Sequence, residues 1–331
     1  MHLNEIMLPE ITLPEEGSKV RIGGQEGTLG SLLSFGGEGK IFYSDVPGKV
    51  CKIYHSETRT HLRKNKIELM VEKKIRKDGL SWPQEVITTL DGDFVGFAMP
   101  ELLGQRLDLL LFDPMSLRTN ALSRIDLVDF LLQILQHIDY LHQQEILVGD
   151  INPVNFLVDK NAKVGMIDVD SVQIENLPCP VGSDEFCAPE IPRDISYANY
   201  LRSMDDELFS IATIIFVILF PGLPPYAQQG TQTIVENTRD RNFPYKKRNA
   251  RAGQSSLVAH LMPVGRWQYV WGILPQEIQS AFHEVFSAGN RISLPSWITF
   301  LQNYAVALKA GTASRQIFPY DLIPYPWPSF C

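Results

Sequence analysis

Three polar residues at fixed intervals constrain this chain more than any other feature of its sequence. Asp150, Asn155 and Asp168 are separated by five and thirteen residues, and short apolar runs lie beside them. A phosphoryl-transfer site needs one carboxylate to orient the attacking hydroxyl, then an amide and a second carboxylate to hold metal on nucleotide phosphates. Each residue alone could simply cap a helix or stabilise a turn. The three residue types at this spacing favour the phosphoryl-transfer interpretation.

The composition is that of a folded globular protein. Of the 331 residues, 44% are hydrophobic and 21% are charged, which argues against global disorder. The formal net charge of −8 argues against general nucleic-acid binding. The four cysteines lack the paired C-x-x-C spacing of a zinc site, so a reducing compartment is the simplest inference.

No targeting or membrane segment is predicted. The first five residues lack the basic segment followed by an apolar one that a signal peptide needs. The longest apolar run, residues 211–220, is about half as long as a membrane-spanning helix and stops at Pro221-Gly222. It predicts a buried helix. We therefore expect a cytoplasmic protein that has no membrane contact and no nucleic-acid partner.

The two parts of the chain differ in their predicted secondary structure. Up to about Glu101, short β-type runs are broken by glycine, and residues 60–77 alone have helical spacing. Beyond Glu101 the apolar spacing predicts helices at 125–142, 207–220, 275–286 and 293–308. These patterns predict an α+β protein with a β-rich lobe that contains one helix and a mainly helical lobe. The two lobes are expected to meet at a cleft near Pro100.

A glycine-rich segment precedes a lysine that lies in an apolar strand. The segment fits the phosphate-covering pattern G-x-G-x-x-G if Ser34 stands at the first glycine, and its glycines are Gly36, Gly37 and Gly39. Glycine lets backbone N–H groups approach phosphate oxygens closely. A glycine-rich hairpin is the commoner explanation of such a segment. However, Lys52 follows thirteen residues after Gly39, and a lysine in a buried strand needs a partner.

Nucleotide phosphates and a glutamate from the predicted helix would partner Lys52. Glu68 and Glu72 lie one turn apart on that helix. Glu68 is the first candidate and Glu72 the second, and the sequence does not choose between them. For any single acidic residue of this helix, a solvated surface position is the simpler explanation.

A second set of charged residues follows the proposed site. Glu190 ends the element Ala188-Pro189-Glu190, 22 residues after Asp168, and Arg291 is the natural cation for it through bidentate geometry. We expect that pair to be buried and to fix the end of the intervening segment.

These residues together resemble the eukaryotic-like protein kinase superfamily over roughly residues 25–305. Within it, the strings G-D-I-N-P-V-N (149–155) and I-D-V-D-S (167–171) resemble a bacterial branch. That branch includes kinase domains fused to helix-hairpin-helix modules and the kinases of tellurite-resistance-type gene clusters, sometimes paired with PP2C-type phosphatases. The resemblance implies a two-lobed kinase fold, ATP with Mg²⁺ or Mn²⁺, and phosphorylation of serine or threonine in a protein substrate that the sequence does not identify.

The resemblance also implies domain bounds. Residues 1–24 would form an N-terminal extension, 25–100 the N-lobe and 101–308 the C-lobe. Residues 309–331 would form a tail rich in proline and aromatic residues, which we expect to pack on its own domain. The basic segment 239–251 is expected to be a solvated loop.

The resemblance assigns roles to the residues introduced above. Asp150 would orient or accept the proton of the substrate hydroxyl, and Asn155 and Asp168 would bind the metal. Lys52 and the glycine-rich segment would bind ATP. Met99 would lie near the nucleotide hinge, followed by Pro100 and Glu101. One of the acids in 205–207, with Asp206 and Glu207 as the leading candidates, would brace the backbone of the loop around Asp150.

Three positions depart from the usual kinase pattern. Asn152 stands where ordinary Ser/Thr kinases have a lysine, and it offers a neutral amide to the γ-phosphate. Gly149 replaces the arginine that would bind a phosphorylated activation segment, so we predict that a phosphate within 171–187 does not switch the protein on. Asp170 replaces a glycine, and we expect it to be a turn residue more than a further metal ligand.

Three functions are compatible with the sequence. The first is an active Ser/Thr protein kinase, and the second is a pseudokinase that binds nucleotide as a scaffold. The third is a small-molecule phosphotransferase of the aminoglycoside-kinase type. Retention of Lys52, Asp150, Asn155 and Asp168 argues against the second. The glycine-rich segment and the pair of Glu190 with Arg291 argue against the third.

Overall fold

The computed structural model describes residues 6–192, 194–245, 262–263 and 265–319. These residues form two compact units, and each unit draws on several stretches of the chain. Unit 1 takes in the described residues of Met1–Gly104, Leu157–Pro180 and Ser196–Leu201. Unit 2 takes in those of Gln105–Phe156, Val181–Ile195 and Arg202–Cys331. The predicted domain bounds stay a prediction.

Strands dominate the first third of the chain and helices the remainder. The elements are, in chain order, β1 (Lys19–Ile22), β2 (Gln25–Phe35), β3 (Gly39–Ser44), β4 (Lys49–Tyr54), α1 (His61–Glu72), β5 (Glu85–Thr88), β6 (Phe94–Pro100), β7 (Gln105–Arg106), α2 (Leu107–Leu111), α3 (Pro114–Thr119), α4 (Arg124–His142), β8 (Ile146–Leu147), β9 (Phe156–Val158), β10 (Val164–Met166), β11 (Gln173–Ile174), α5 (Met204–Leu219), α6 (Ile234–Arg239), α7 (Val270–Ile273), α8 (Gln276–Phe286) and α9 (Leu294–Ala310).

A closed antiparallel barrel forms the core of unit 1. Its strand order is β1-β2-β3-β4-β6-β5, and β1 closes the ring by pairing with β5 as well as with β2. Alternate residues of β-strands point to opposite faces, so one face of each strand fills the interior. The buried cluster inside the barrel is Val20, Ile22, Leu29, Phe42, Cys51, Ile53, Ile87, Val95 and Ala98.

Helix α1 packs on this barrel with both apolar and basic side chains. It begins after Thr60, whose hydroxyl accepts a hydrogen bond from Arg63 N, as is usual for a helix N-cap. It buries Ile67 and Met70 together with Lys66. The prediction of one helix between residues 60 and 77 is confirmed, and the helix ends five residues earlier than predicted.

Helix α5 forms the centre of unit 2. A capping box of Ser203 and Asp206 starts the helix, and nearly every residue from Asp206 to Leu219 is buried. Phe216 stacks on Phe220 with ring centroids 4.1 Å apart, and Phe282 of α8 packs against it edge-on at 5.1 Å. The predicted buried helix at 211–220 is therefore confirmed.

The described part of the C-terminal tail packs on unit 2. Arg124, fully buried at the start of α4, donates hydrogen bonds to the carbonyls of Leu219 and Gln316. Phe318 is buried, and the guanidinium of Arg266 lies 4.2 Å from its ring centroid. Self-packing is therefore confirmed as far as residue 319. The rest of the tail, like the basic residues 246–251, lies outside the described residues.

The fold class is confirmed as α+β with two lobes. The described part of unit 1 is β-rich and has one α-helix, and unit 2 is mainly helical. Among the described residues, no helix combines the length and apolarity that crossing a bilayer requires.

Candidate active site

Lys52 lies at the centre of a buried charge cluster in unit 1. Its Nζ donates to Asp168 Oδ1 at 2.7 Å and to the two oxygens of Asp170 at 2.8 and 2.9 Å. Glu38 Oε2 lies 3.4 Å from the same Nζ. Only 6% of the Lys52 side chain is exposed. Three carboxylates therefore offset the unfavourable free energy of burying the Lys52 ammonium.

Two further side chains complete this cluster. Arg63 of α1 donates from Nη2 to Glu38 Oε1 at 2.7 Å, and its guanidinium lies 4.9 Å from the ring centroid of Tyr54. The Tyr54 hydroxyl donates to Asp170 Oδ2 at 2.7 Å. Each acidic group thus faces at least one cation or hydroxyl donor, as buried polar networks require.

Burial and charge act in opposite directions on the pKa values of this cluster. Burial alone would lower the pKa of Lys52, but Asp170, Asp168 and Glu38 outweigh it and raise that pKa above its ordinary value. Burial alone would raise the pKa of Asp170, but Lys52 and Arg63 hold it below its ordinary value. For Asp168, burial prevails over the attraction of Lys52 and raises the pKa. Lys52 and Asp170 are therefore both charged at neutral pH.

The prediction that a helical glutamate partners Lys52 is corrected by the structure. Glu68 instead forms an ion pair with Lys64 of its own helix, with Lys64 Nζ 3.4 Å from Glu68 Oε1, and Glu72 is exposed. The face of α1 that turns inward presents Arg63 and Lys66. Because those positions are basic, the carboxylates around Lys52 come from the glycine-rich segment and from the residues after β10.

Two members of the cluster were not anticipated from the sequence. In the glycine-rich pattern Glu38 is only a variable position. Asp170 was expected to be a turn residue; it does lie in a turn of 3₁₀-helix, Val169–Ser171, but its carboxylate is buried and bound to Lys52. The signal that could have identified Asp170 is the I-D-V-D string, which places two acids on one short turn.

Asp168 adopts a backbone conformation that few residues adopt. Its φ of 57° and ψ of 34° lie in the left-handed region, where aspartate and asparagine are enriched among non-glycine residues. The Ser171 hydroxyl donates to the Asp168 carbonyl at 3.1 Å, which stabilises this turn. The turn leaves 48% of the Asp168 side chain exposed.

The glycine-rich segment forms the tight connection between β2 and β3. Gly36 N donates to Gly39 O at 2.9 Å, while Ser34, Gly36 and Gly37 are exposed. A side chain at Gly39 would collide with the carbonyl of Ile53 on β4. Strand packing alone therefore explains the glycine at 39, and the phosphate contacts of the segment stay predictions.

The proposed hinge residues lie at the end of β6, the strand that pairs with β4 in the barrel. Met99 is buried on β6 opposite Val50, and Glu101 donates from its backbone N–H to the Gly48 carbonyl at 2.9 Å. Their proposed contacts with nucleotide stay predictions.

The loop that carries Asp150 is braced from within unit 2. Glu207 of α5, which is fully buried, accepts from the backbone N–H groups of Val148 at 2.6 Å and Gly149 at 2.9 Å. His142 Nε2 lies 3.2 Å from the same carboxylate. Of the two acids proposed for this task, the structure assigns Glu207, while Asp206 caps α5. Gly149 has a φ of 76°, which disfavours any larger residue there.

Asp150, Asn155 and Asn152 are linked within the same loop. The Asn155 amide donates to the Asp150 carbonyl at 3.1 Å and to Asp150 Oδ2 at 3.3 Å. The Asn152 side chain accepts from Val154 N at 3.2 Å and donates to Ser183 Oγ at 2.8 Å. The loop therefore fixes the orientation of Asp150 and couples Asn152 to the segment that ends at Glu190.

Glu190 is held by two arginines. Arg291 Nη2 donates to Glu190 Oε2 at 3.0 Å, which confirms the predicted partner. Arg241 also donates to Glu190. The pair is not buried as expected, since about half of the Glu190 side chain is exposed. The described members of the basic segment are thus engaged in ion pairs, because Arg239 also contacts Asp240.

Lys66 is a second buried lysine of unit 1, and it contacts carbonyls instead of acids. Its Nζ donates to Val172 O at 3.0 Å and Pro178 O at 2.5 Å, with Ser171 O at 3.4 Å. Burial lowers the pKa of Lys66 to about 8. The contacts join α1 to residues 171–178.

The Lys66 contacts predict a dependence of stability on pH. The pKa of Lys66 lies near 8 in the folded protein and near its ordinary value of 10.5 in the unfolded chain, so between these values the unfolded chain holds a proton that the folded protein has released. Stability then rises with pH across this window. We expect the free energy of unfolding of the wild type, relative to Lys66→Met, to increase by about 2 kcal/mol between pH 7.5 and 9.5 in urea titrations.

Lys64→Met is the matched control for this measurement, because Lys64 is a half-exposed lysine of the same helix. Its stability difference from the wild type should not change over this pH range. If the difference in unfolding free energy between the wild type and Lys66→Met stayed constant from about pH 7.5 to 9.5, the pKa of Lys66 would not be lowered in the folded protein.

One known protein family has a sequence model that matches about half of this chain. The family model described as "Protein kinase domain" matches residues 91–263. The match includes Asp150, Asn155 and Asp168 but not Lys52 or the glycine-rich segment. Those two features lie in the barrel, outside the matched residues.

Three curated proteins show how far the similarity extends. The chain is 28% identical over 327 residues to Protein kinase YegI of Escherichia coli strain K12, covering 92% of this chain and 49% of that protein. It is 27% identical to the same-named protein of Escherichia coli O157:H7, covering 91% and 48%. It is 33% identical over 106 residues to Putative serine/threonine-protein kinase R436 of Acanthamoeba polyphaga mimivirus, covering 30% and 37%. The chain spans about half the length of the two Escherichia relatives.

Proposed function

The chain belongs to the protein kinase family, and on that premise we propose that it transfers the γ-phosphate of ATP to a serine or threonine hydroxyl of a protein. The observation that carries the proposal is the hydrogen bond of 2.7 Å between Lys52 and Asp168, which joins residues 116 positions apart. A buried lysine beside a half-exposed acid is suited to hold the phosphates of a nucleotide and a divalent metal.

Asp150 is the proposed base or orienting group for the substrate hydroxyl. A carboxylate acts most effectively in this way when its geometry is largely fixed before the substrate arrives. The contacts of Asn155 with Asp150, and of Glu207 with the backbone just before it, supply that rigidity. General acid–base assistance of this kind contributes about 10² to 10⁴ in rate.

The donor groups of Asp168 and Asn155 fit a hard divalent cation. Mg²⁺ and Mn²⁺ prefer carboxylate and amide oxygens, and these two residues offer one of each. The half-exposed Asp168 side chain leaves its carboxylate accessible from solvent. Bound there, the ion would neutralise charge on the phosphates, and Mg²⁺ or Mn²⁺ is the proposed metal.

The Asn152 amide is the proposed replacement for a lysine near the γ-phosphate. One N–H of this amide donates to Ser183 at 2.8 Å, and because the amide is neutral it can offer the transferred phosphate a hydrogen bond but no positive charge. Transition-state charge must then be balanced by Lys52 and the metal. Ser171 is buried and Ser183 is bound to Asn152, which supports the prediction that neither serves as an activating phosphorylation site.

We also propose that the chain belongs to the bacterial branch with helix-hairpin-helix-fused and tellurite-resistance-type kinases. The strings at 149–155 and 167–171 support this, as does similarity to bacterial protein kinases over most of this chain. A PP2C-type phosphatase partner and a cytoplasmic location are proposed on the same basis.

A labelling experiment tests the proposed function. The chain is incubated with Mg²⁺ or Mn²⁺, γ-labelled ATP and a generic protein substrate, as wild type, Asp168→Ala and Glu26→Gln. Glu26 is an exposed carboxylate paired with Lys19, so its variant controls for the lost charge. We expect label on protein in the wild type and control, and at least a hundredfold less with Asp168→Ala.

Two other outcomes would replace the proposal. Tight ATP binding without transfer to any acceptor would indicate a nucleotide-binding scaffold. Transfer only to a sugar or an aminoglycoside would indicate a small-molecule phosphotransferase.

A further inference from the structure

Asp170 is the most enclosed of the three carboxylates around Lys52. Its side chain is 1% exposed, against 23% for Glu38 and 48% for Asp168. Both of its oxygens accept from the Lys52 ammonium, and one of them also accepts from Tyr54. Asp170 therefore binds the ammonium through two oxygens, whereas Asp168 contacts it through one.

The helix that would ordinarily hold this lysine is not arranged to do so. In protein kinases a glutamate from the N-lobe helix pairs with the strand lysine. Here α1 directs Arg63 toward Glu38 and Asp170, at 2.7 and 3.8 Å, and Glu68 pairs with Lys64. The charge pattern is inverted, because the helix contributes the cations and the two loops contribute the anions.

We propose that Asp170 is the positioning residue that holds Lys52 for the phosphates of ATP, in place of a helical glutamate. Tyr54 and Arg63 hold Asp170 in turn. The inference rests on the proposed function, since it assigns a task within the same ATP site. The inference goes beyond the proposed function because the carboxylate that positions Lys52 comes from the turn Val169–Ser171 and not from α1.

A competing role for Asp170 is that of a third metal ligand. Glu38, Asp168 and Asp170 do bring one oxygen each to within 4.8 Å of one another. However, the oxygens of Asp170 already accept from Lys52 and Tyr54, and the carboxylate is enclosed. A metal could reach it only by displacing those donors, while Asp168 is accessible. The tasks are therefore divided: the accessible Asp168 would bind the metal, and the enclosed Asp170 holds the lysine.

This division has a consequence for how the site is assembled. The anchor and the proposed metal ligand lie two residues apart on one turn, and the lysine lies in a barrel strand. Formation of the lysine pair therefore does not require an acidic residue of α1 to swing inward. Removing Glu68 should leave the Lys52–Asp170 contacts in place.

Nucleotide binding and turnover by the full chain test this proposal. The variants are Asp170→Asn, Lys52→Met and the double variant, with Glu26→Gln as control. We expect Asp170→Asn to lower kcat/KM for ATP about 100-fold, as misplacement of a reacting group by about 1 Å can do. The calorimetric Kd for ATP at saturating Mg²⁺ should rise about tenfold. The double variant should bind ATP no more weakly than Lys52→Met alone, because the two residues act as one unit.

Two further variants separate positioning from a general structural effect. Asp170→Glu retains the carboxylate and should recover part of the lost affinity. Tyr54→Phe removes one hydrogen bond to Asp170 without adding a buried charge, and it should raise the Kd about fivefold even if Asp170→Asn proves unstable. Melting temperatures close to that of the wild type would establish that the variants are folded.

Three results would overturn the proposal. If the losses of ATP affinity in the two single variants added fully in the double variant, Asp170 and Lys52 would act independently. A defect of Asp170→Asn that saturating Mg²⁺ restores would identify a metal ligand instead. If Glu68→Gln weakened ATP binding as much as Asp170→Asn or more, the residue that positions Lys52 would be the helical Glu68. Because ATP binding is measured without transfer, a wild type that binds ATP but transfers no phosphate would count against the proposed function and not against the anchor.

Discussion

Replacing Asp150 by asparagine should lower kcat for protein phosphorylation about a thousandfold. Asparagine has nearly the same shape as aspartate, so the loop contacts made by Asn155 can persist while the proton acceptor is lost. General base assistance contributes about 10² to 10⁴ in rate, which sets the expected size. The measurement is steady-state turnover with γ-labelled ATP, together with the KM for ATP. We expect that KM to stay within about threefold of the wild type.

Asp240→Asn is the matched control, since Asp240 is an exposed carboxylate of unit 2 that pairs with Arg239. Its kcat should equal that of the wild type. If Asp150→Asn turned over at the wild-type rate, Asp150 would not be the group that orients the hydroxyl.

Replacing Glu207 by alanine should destabilise the protein by about 3–5 kcal/mol. The variant leaves two buried backbone N–H groups, of Val148 and Gly149, without the acceptor that they now share. An unsatisfied buried donor costs about 1–3 kcal/mol, and a cavity adds to this. Unfolding in urea, followed by circular dichroism, measures the change in the free energy of unfolding.

Asp205→Asn serves as the control for Glu207→Ala. Asp205 lies in the same first turn of α5 and is exposed, so its variant should change stability by less than about 0.5 kcal/mol. Equal destabilisation by the two variants would mean that the turn, and not the braced loop, accounts for the effect.

The site residues that the sequence singles out share a property that sequence can reveal, and their roles stay predictions. Asp150, Asn155 and Asp168 are close in the chain, so their spacing carries information about one local loop and one turn. The partner of Glu190 could also be proposed, because Arg291 follows a recognisable element. The two-lobed fold followed from a change of apolar period near Glu101, which reflects local backbone geometry.

The residues that sequence analysis missed depend on contacts between distant segments. Apolar spacing predicted α1, but it did not show that Arg63 and Lys66 would face inward while Glu68 faces solvent. A lysine can bury its aliphatic stem and still satisfy its ammonium with carbonyls, as Lys66 does, so a basic residue is not a reliable marker of the exposed face. The contact of Asp170 with Lys52 joins residues 118 positions apart, and no local pattern specifies it.

The carbonyl contacts of Lys66 have a mechanical consequence for unit 1. The ammonium links α1 to residues 171–178, a stretch that directly follows the turn bearing Asp168 and Asp170. Separating the helix from this stretch would break the hydrogen bonds that these buried carbonyl oxygens accept from the ammonium, and a buried acceptor left without a donor is costly. The helix and this stretch are therefore expected to move together as one cooperative unit, so that any displacement of α1 would also displace the turn that carries Asp168 and Asp170.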